Sequence, residues 1–330
     1  EGAYGHFEGG RVPEIGESRP GTKAPGRLEE LPVKDGVKLY QKDISEYRMK
    51  LLFIGPTILV LIVMNVFPLI WSLGLSFTNY SSLVSRKISF VGFANYAKIL
   101  SDPLIWKYFQ ITARLVIVAV GVEFLLGFGL ALLLKERFKG WGLVTTLMLI
   151  PMMLSPVVVG LFWTFIMDAN FGLLNFLFSL FGLRRVLWLT DPKIALYSIA
   201  LVDIWMWTPF VMLISLTGLL AIPQSLYEAA DIDMASFWFK FRRITLPLVS
   251  PLLILAVLFR VIDAFKMFDL VFIMTGGGPG DVTETISMSL YRLAFNKFKT
   301  GESCAMAYII LILIIALSNL LIRWIQRTRA

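Results

Sequence analysis

Glu228-Ala229-Ala230-Asp231-Ile232-Asp233-Met234-Ala235-Ser236-Phe237-Trp238-Phe239-Lys240-Phe241-Arg242-Arg243-Ile244-Thr245-Leu246-Pro247 is a charged stretch set between two long apolar ones. The flanking runs, about 194–221 and 248–275, are each long enough to cross ~30 Å of hydrocarbon at ~1.5 Å per helical residue. The stretch is therefore a loop between membrane spans. Lys240, Arg242 and Arg243 hold it on the side where positive loops stay. It carries helix signals of its own. Ser225-Leu226-Tyr227-Glu228 fits a capping box, with Ser225 as the cap and Glu228 reaching back to its backbone N–H. That helix is expected to run to Met234 or Ala235, with Ser236 capping a second one. Phe237, Phe241 and Ile244 fall at i, i+4 and i+7 and give one apolar stripe, and Pro247 closes the section. A loop of this build reads as two short helices with a bend, presented to a partner.

Working outward, the 330 residues are 57% hydrophobic with a mean hydropathy of +0.74, and only 16% are charged. A soluble domain is nearer a quarter charged. The expected architecture is all-α and polytopic, with six transmembrane helices at about 51–77, 111–134, 143–167, 194–221, 248–275 and 305–325. The loop of interest spans 222–247. Pro56, Pro68, Pro151, Pro156 and Pro209 mark kinks within spans. Lys and Arg near the span ends favour both termini inside, most clearly for the short basic turn Lys135–Lys139. Residues 1–44, rich in Gly, Pro, Glu and Lys, read as a flexible cytoplasmic tail, and 45–330 as the membrane domain.

Several function classes fall away. The net charge of +8 sits at helix ends, where it meets lipid heads rather than nucleic acid. One cysteine, Cys304, and one histidine, His6, leave no multi-cysteine metal site and no histidine zinc centre. No Walker-type nucleotide loop is present. Outside the membrane, Gly276-Gly277-Gly278-Pro279-Gly280 predicts a sharp exit after the fifth span. The following segment, Thr283–Phe295, has an amphipathic pattern suited to the outer interface.

The loop resembles the EAA motif of bacterial ABC importer permeases, EAA-x3-G-x9-I-x-LP. Glu228-Ala229-Ala230, Met234, Ile244 and Leu246-Pro247 stand at that spacing. Phe268–Gly280 with Thr283-Glu284-Thr285, Asn95-Tyr96, Phe171–Asn175 and Thr208-Pro209-Phe210 resemble the sugar-importer, MalF/UgpA-like branch, and the likeness covers about 50–325. It implies the type I ABC importer permease fold, in the bacterial inner membrane, with the loop as a cytoplasmic coupling helix. It also implies a second homologous permease, two ATPase subunits that hold ATP and Mg, and an extracytoplasmic sugar-binding protein. This chain then carries no cofactor and no catalytic residue. Glu228, Ala229, Ala230, Asp233, Met234, Phe237 and Phe241 are the residues expected at the ATPase. One departure stands out: the family glycine is Met234 here, which costs ~1–2 kcal/mol if the position is left-handed. A partner pocket that accommodates Met234 is the expected compensation.

Ionisable residues within spans are Arg114, Glu123, Asp203, Arg260, Asp263, Lys266 and Asp269. Charges at membrane depth face cavities or pair. Arg260 and Asp263, or Asp263 and Lys266, stand at i, i+3 and can pair along one helix. Asp203, Trp207 and Asp263 are the candidates for a sugar path, because sugars use carboxylates for hydroxyls and aromatic faces for C–H patches. Structural pairing between helices is the competing role for the same residues. A self-contained secondary transporter, the alternative reading, usually shows inverted repeats and about ten to twelve spans. A membrane enzyme would need a catalytic constellation that this composition does not offer.

Overall fold

The computed structural model describes residues 34–83 and 88–329, with side chains over 48–83 and 88–323. Residues 1–33 of the expected tail, and the loop residues Arg86 and Lys87, lie outside the described residues. The chain divides into two units, Glu1–Met64 and Asn65–Ala330. In the first, α1 runs Lys34–Leu61. It begins ten residues before the expected end of the tail at residue 44. Its apolar side chains, Phe53 and Leu59 among them, are exposed, as suits a helix whose solvent is hydrocarbon.

The second unit begins with α2, Phe67–Ser76. A π turn, Ile62–Val66, precedes it and ends two residues before Pro68. A second π turn, Phe241–Thr245, ends two residues before Pro247. A proline ring clashes with the carbonyl four residues back, and a wider turn moves that carbonyl aside. Both prolines therefore sit inside helical runs rather than ending them.

After α3, Ala94–Ser101, the unit is built on α4, Pro103–Leu134. Asp102 caps α4 by accepting from Leu104 N–H at 2.9 Å, and Pro103 occupies the first helical position, where no N–H is needed. The span expected at 143–167 is two helices, α5, Trp141–Met153, and α6, Pro156–Ile166. They meet at 95°, because Pro151 and Pro156 bracket the break. Then come α7, Leu173–Leu180, and α8, Ala195–Leu220. The loop follows as α9, Gln224–Ile232, and α10, Phe237–Lys240, and leads into α11, Leu246–Phe265. Last are α12, Asp269–Met274, α13, Ile286–Tyr291, and α14, Thr300–Arg329. Among the described residues, five helices are long and apolar enough to cross a membrane, or six if the bent α5–α6 pair is one broken span.

α4 and α8 pack closely. A Cβ on Gly127 would stand 2.7 Å from Val211 Cβ and 2.9 Å from Met212 N, so only glycine permits this approach. Leu115, Ala119, Ile199, Val202, Met206, Val271, Ile286 and Met306 bury at the centre. Ala131, Met212, Leu216, Val249 and Leu253 form a second cluster beside the loop.

Three expectations are corrected. The fifth span ends at Phe265, so Lys266 and Asp269 lie beyond it, and Leu270–Ile273 of α12 instead pack against Gly160 of α6. Pro247 does not separate the loop from that span: Phe237–Phe265 is one continuous helical run. Thr283–Phe295 is not an interfacial helix. Thr283, Glu284, Thr285, Ile286 and Met288 are buried, and Ile286 N–H donates to Thr112 Oγ1 of α4 at 2.9 Å.

Candidate functional site: an exposed loop and a buried charge cluster

α9 opens at Pro223, not at Ser225. Pro223 fixes its own φ and Gln224 begins the helix, so Ser225 falls inside and the capping box does not form. Its far end is a Schellman closure. Ala235 N–H donates to Ala230 C=O at 2.9 Å, and Met234 N–H donates to Asp231 C=O at 3.0 Å. The residue at the turning point of that motif adopts a left-handed backbone, and Met234 does so with φ 53. This is the physical reason a glycine suits the position. Met234 is 92% exposed, so no other described residue covers its side chain.

Ser236 caps α10 as expected, accepting from Phe239 N–H at 3.3 Å. The bend is braced by Lys240 Nζ donating to Asp231 Oδ1 at 2.6 Å. The Tyr227 and Thr245 hydroxyls meet at 2.8 Å, and Lys135 Nζ stands 3.8 Å above the Tyr227 ring. Tyr227, Thr245 and Lys135 were not singled out from sequence, since neither periodicity nor spacing brings the basic turn to α9. Phe237 and Phe241 stack, with ring centroids 6.5 Å apart. Glu228, Ala229 and Asp233 are exposed and Ala230 is buried. Ile232, Met234, Phe237 and Trp238 leave an apolar surface uncovered at the tip of the bend. An apolar patch rimmed by charge is the mark of an interaction site.

The second constellation lies within the spans. Arg260 of α11 is 1% exposed. Its Nε donates to Glu123 Oε2 at 2.6 Å and its Nη2 to Glu123 Oε1 at 3.0 Å, joining α11 to α4. Nη2 also donates to Asp203 Oδ2 of α8 at 2.8 Å, and Nη1 to Asp263 Oδ2 at 2.7 Å. The Trp207 ring lies 4.8 Å from the guanidinium carbon, a cation–π contact. The planar fork supplies four bonds, two of them bidentate to Glu123, where the three N–H groups of a lysine could not.

Asp203, Trp207 and Asp263 are thus brought together, and Arg260 is the residue that gathers them. Their roles differ. Asp203 is buried and committed to Arg260, whereas the Asp263 side chain is 54% exposed. A cavity of about 200 Å³ is lined by Asp203, Trp207, Asp263, Lys266 and Asp269. Lys266 makes no ion pair with Asp263 among the described residues; Asp263 turns to Arg260 instead. Thr208 does not relieve the Pro209 site, for its hydroxyl has no hydrogen-bond partner among the described residues.

The glycine turn follows α12 rather than the fifth span, and there Gly276 and Gly277 have φ of 58 and 91. A Cβ at Gly277 would stand 2.2 Å from Glu284 Oε2. Glu284 lies 3.2 Å from Arg292 Nη2, which also donates to the Gly276 carbonyl. Burial pushes the Glu284 carboxyl above its ordinary value, and the charge of Arg292 only partly offsets this.

Residues 123–329 match the family model described as "Binding-protein-dependent transport system inner membrane component". The chain is 38% identical over 257 residues to the trehalose/maltose transport system permease protein MalF of Thermococcus litoralis, covering 78% of this chain and 85% of that protein. It is 30% identical over 267 residues to the trehalose transport system permease protein SugA of Mycobacterium tuberculosis, covering 81% and 85%. The fold is similar to a chain from a bacterial ABC transporter involved in the import of the acidic polysaccharide alginate, with a TM-score of 0.75 at 22% identity, covering 87% of this chain and 98% of that one. The model match spans the second half of α4, the charge cluster, the loop and α14. The chain is a non-catalytic permease subunit and belongs to the family of binding-protein-dependent transport system inner membrane components.

Proposed function

We propose that this chain carries a sugar across the membrane as one of two homologous permeases in an ATP-driven importer. Two ATPase subunits hold ATP and Mg, and an extracytoplasmic binding protein delivers the sugar. The α9–α10 bend is the contact with one ATPase, and both termini lie on its side of the membrane. The observation that carries this reading is the apolar tip of Met234 and Phe237 beside the exposed carboxylates of Glu228 and Asp233. That surface is left uncovered by the described residues and suits a cleft on another subunit. Ala229 is exposed beside Glu228, and Ala230 and Phe241 support the surface from behind. The sugar class is favoured by the relatives that transport trehalose and maltose. Asp263 and the Trp207 face border the cavity where a sugar would pass, and Asp203 holds Arg260 in place. Residues 45–330 form the permease domain, and 1–44 are an appendage to it.

The test is ATP hydrolysis by the complex reconstituted in lipid nanodiscs, with and without a sugar-loaded binding protein. Stimulation is expected in the wild type and should weaken in Glu228→Ala. Stimulation indifferent to Glu228→Ala, and to Phe237→Ala, would remove the coupling role from this loop. Stimulation by no trehalose-like or maltose-like sugar would remove the substrate class while leaving the loop assignment intact.

A further inference from the structure

Arg114 belongs to α4 but not to its inner face. It stands nine residues before Glu123, which at ~100° per residue is half a turn round the helix. Val116, Ala119, Val120 and Glu123 are buried on one side. Arg114, Ile117 and Gly121 are exposed on the other. The guanidinium therefore points away from the charge cluster, from the position just ahead of the apolar run 115–134. It is ~16 Å along the axis from Pro103.

It opens into a cavity of about 590 Å³, lined by Lys107, Gln110, Arg114, Lys193 and Tyr197, with Ile111 and Leu196 as an apolar wall. No carboxylate among the described residues lines it. Lys107 pairs with Asp281 at 2.6 Å. Arg114 and Lys193 make no ion pair among the described residues. Arg114 stands where the apolar run of α4 begins and Lys193 just ahead of α8, the level of lipid headgroups, where a cation finds anionic phosphates. A guanidinium, an ammonium, an amide and a phenol around one volume match the oxygens of a phosphodiester. The adjoining apolar wall matches the first methylenes of an acyl chain.

We propose that this cavity binds the headgroup of an anionic phospholipid. The phosphate lies between Arg114 and Lys193, and the acyl chains run along Ile117 and the outer face of α4. The site faces away from the Asp263 cavity, so its occupant is not the transported solute.

The test uses the purified transporter complex in phosphatidylcholine nanodiscs with and without phosphatidylglycerol, comparing wild type with the double variant Arg114→Gln, Lys193→Gln. Phosphatidylglycerol should raise the wild-type unfolding midpoint, and native mass spectrometry should find it retained. Its apparent affinity should fall about fivefold per cation removed, and the midpoint shift should vanish in the double variant. Should that variant not survive purification, Arg114→Lys must keep most of the shift and Arg114→Gln must reduce it, with about a fivefold weaker affinity. An equal shift in the variants, or no phosphatidylglycerol retained by the wild type, overturns the site. Inorganic phosphate reproducing the whole shift makes it a site for free anions and overturns the lipid. Loss of a partner subunit from the variants, with lipid dependence unchanged, makes the face a subunit contact and also overturns it.

Discussion

Arg260 and Glu123 are 137 positions apart in the chain, yet the Arg260 Nε meets Glu123 Oε2 at 2.6 Å and the Glu123 side chain is wholly buried. That bond ties α11 to α4, and Asp203 extends it to α8. Cutting one member leaves the others charged in a medium that solvates them badly.

Arg260→Met should destabilise the protein by ~3–5 kcal/mol, the usual result of stranding a buried charge. Thermal unfolding in nanodiscs reads it as a large fall in midpoint. Adding Glu123→Gln and Asp203→Asn to the same chain should recover much of the loss. An unchanged midpoint in the single variant would mean that the cluster does not hold the three helices.

Met234→Gly should relieve the left-handed strain of ~1–2 kcal/mol, less the ~0.5–1 kcal/mol entropic cost of glycine. A net gain between zero and ~1.5 kcal/mol is expected. Met234→Val should go the other way, because a β-branched side chain tolerates positive φ worst. Hydrogen exchange at Ala235 N–H, which closes onto Ala230, reports both: slower in the first variant and faster in the second.

Gly127→Ala should cost ~1–3 kcal/mol, since the added methyl group meets Val211 Cβ at 2.7 Å and must push α4 from α8. Gly129→Ala is the control, because a Cβ there meets nothing within 4 Å. Equal midpoints for the two variants would refute the close approach.

Glu284 binds its proton more tightly in the folded protein than at its ordinary value of 4.5, chiefly through burial. A group raised in this way stabilises the fold fully at low pH, and the contribution is lost as pH rises through the folded value. The wild-type midpoint should therefore fall relative to Glu284→Gln as pH climbs from 4.5. A gap between the two that widens as pH falls below 4.5 would reverse the sign.

The sequence was most readable where one residue type does one local job. Ser236 was legible as a cap, the i, i+3 relation found the Arg260–Asp263 pair, and apolar length found the spans. Competition between signals hid the rest. Pro223 preceded Ser225 and took the start of α9. The prolines of the third span bent it by 95°, an angle no count of residues supplies. Pro247 looked like a terminator because a π turn leaves no mark in composition. The amphipathic pattern of Thr283–Phe295 was real, but its apolar side met α4 rather than lipid. Glu123 could not be matched to Arg260, since a contact between distant spans depends on how α4 and α8 pack at Gly127.

The run Phe237–Phe265 has 29 residues, a rod of ~43 Å at ~1.5 Å per residue. Phe237 stands at one end, on the exposed bend, and Arg260 and Asp263 stand near the other. The π turn that admits Pro247 keeps the rod whole where a broken helix would have been a hinge. Under the proposed coupling role, a tilt imposed at the Phe237 end would reach the Asp263 cavity mechanically, as the far arm of a lever, with no slack loop to absorb the stroke.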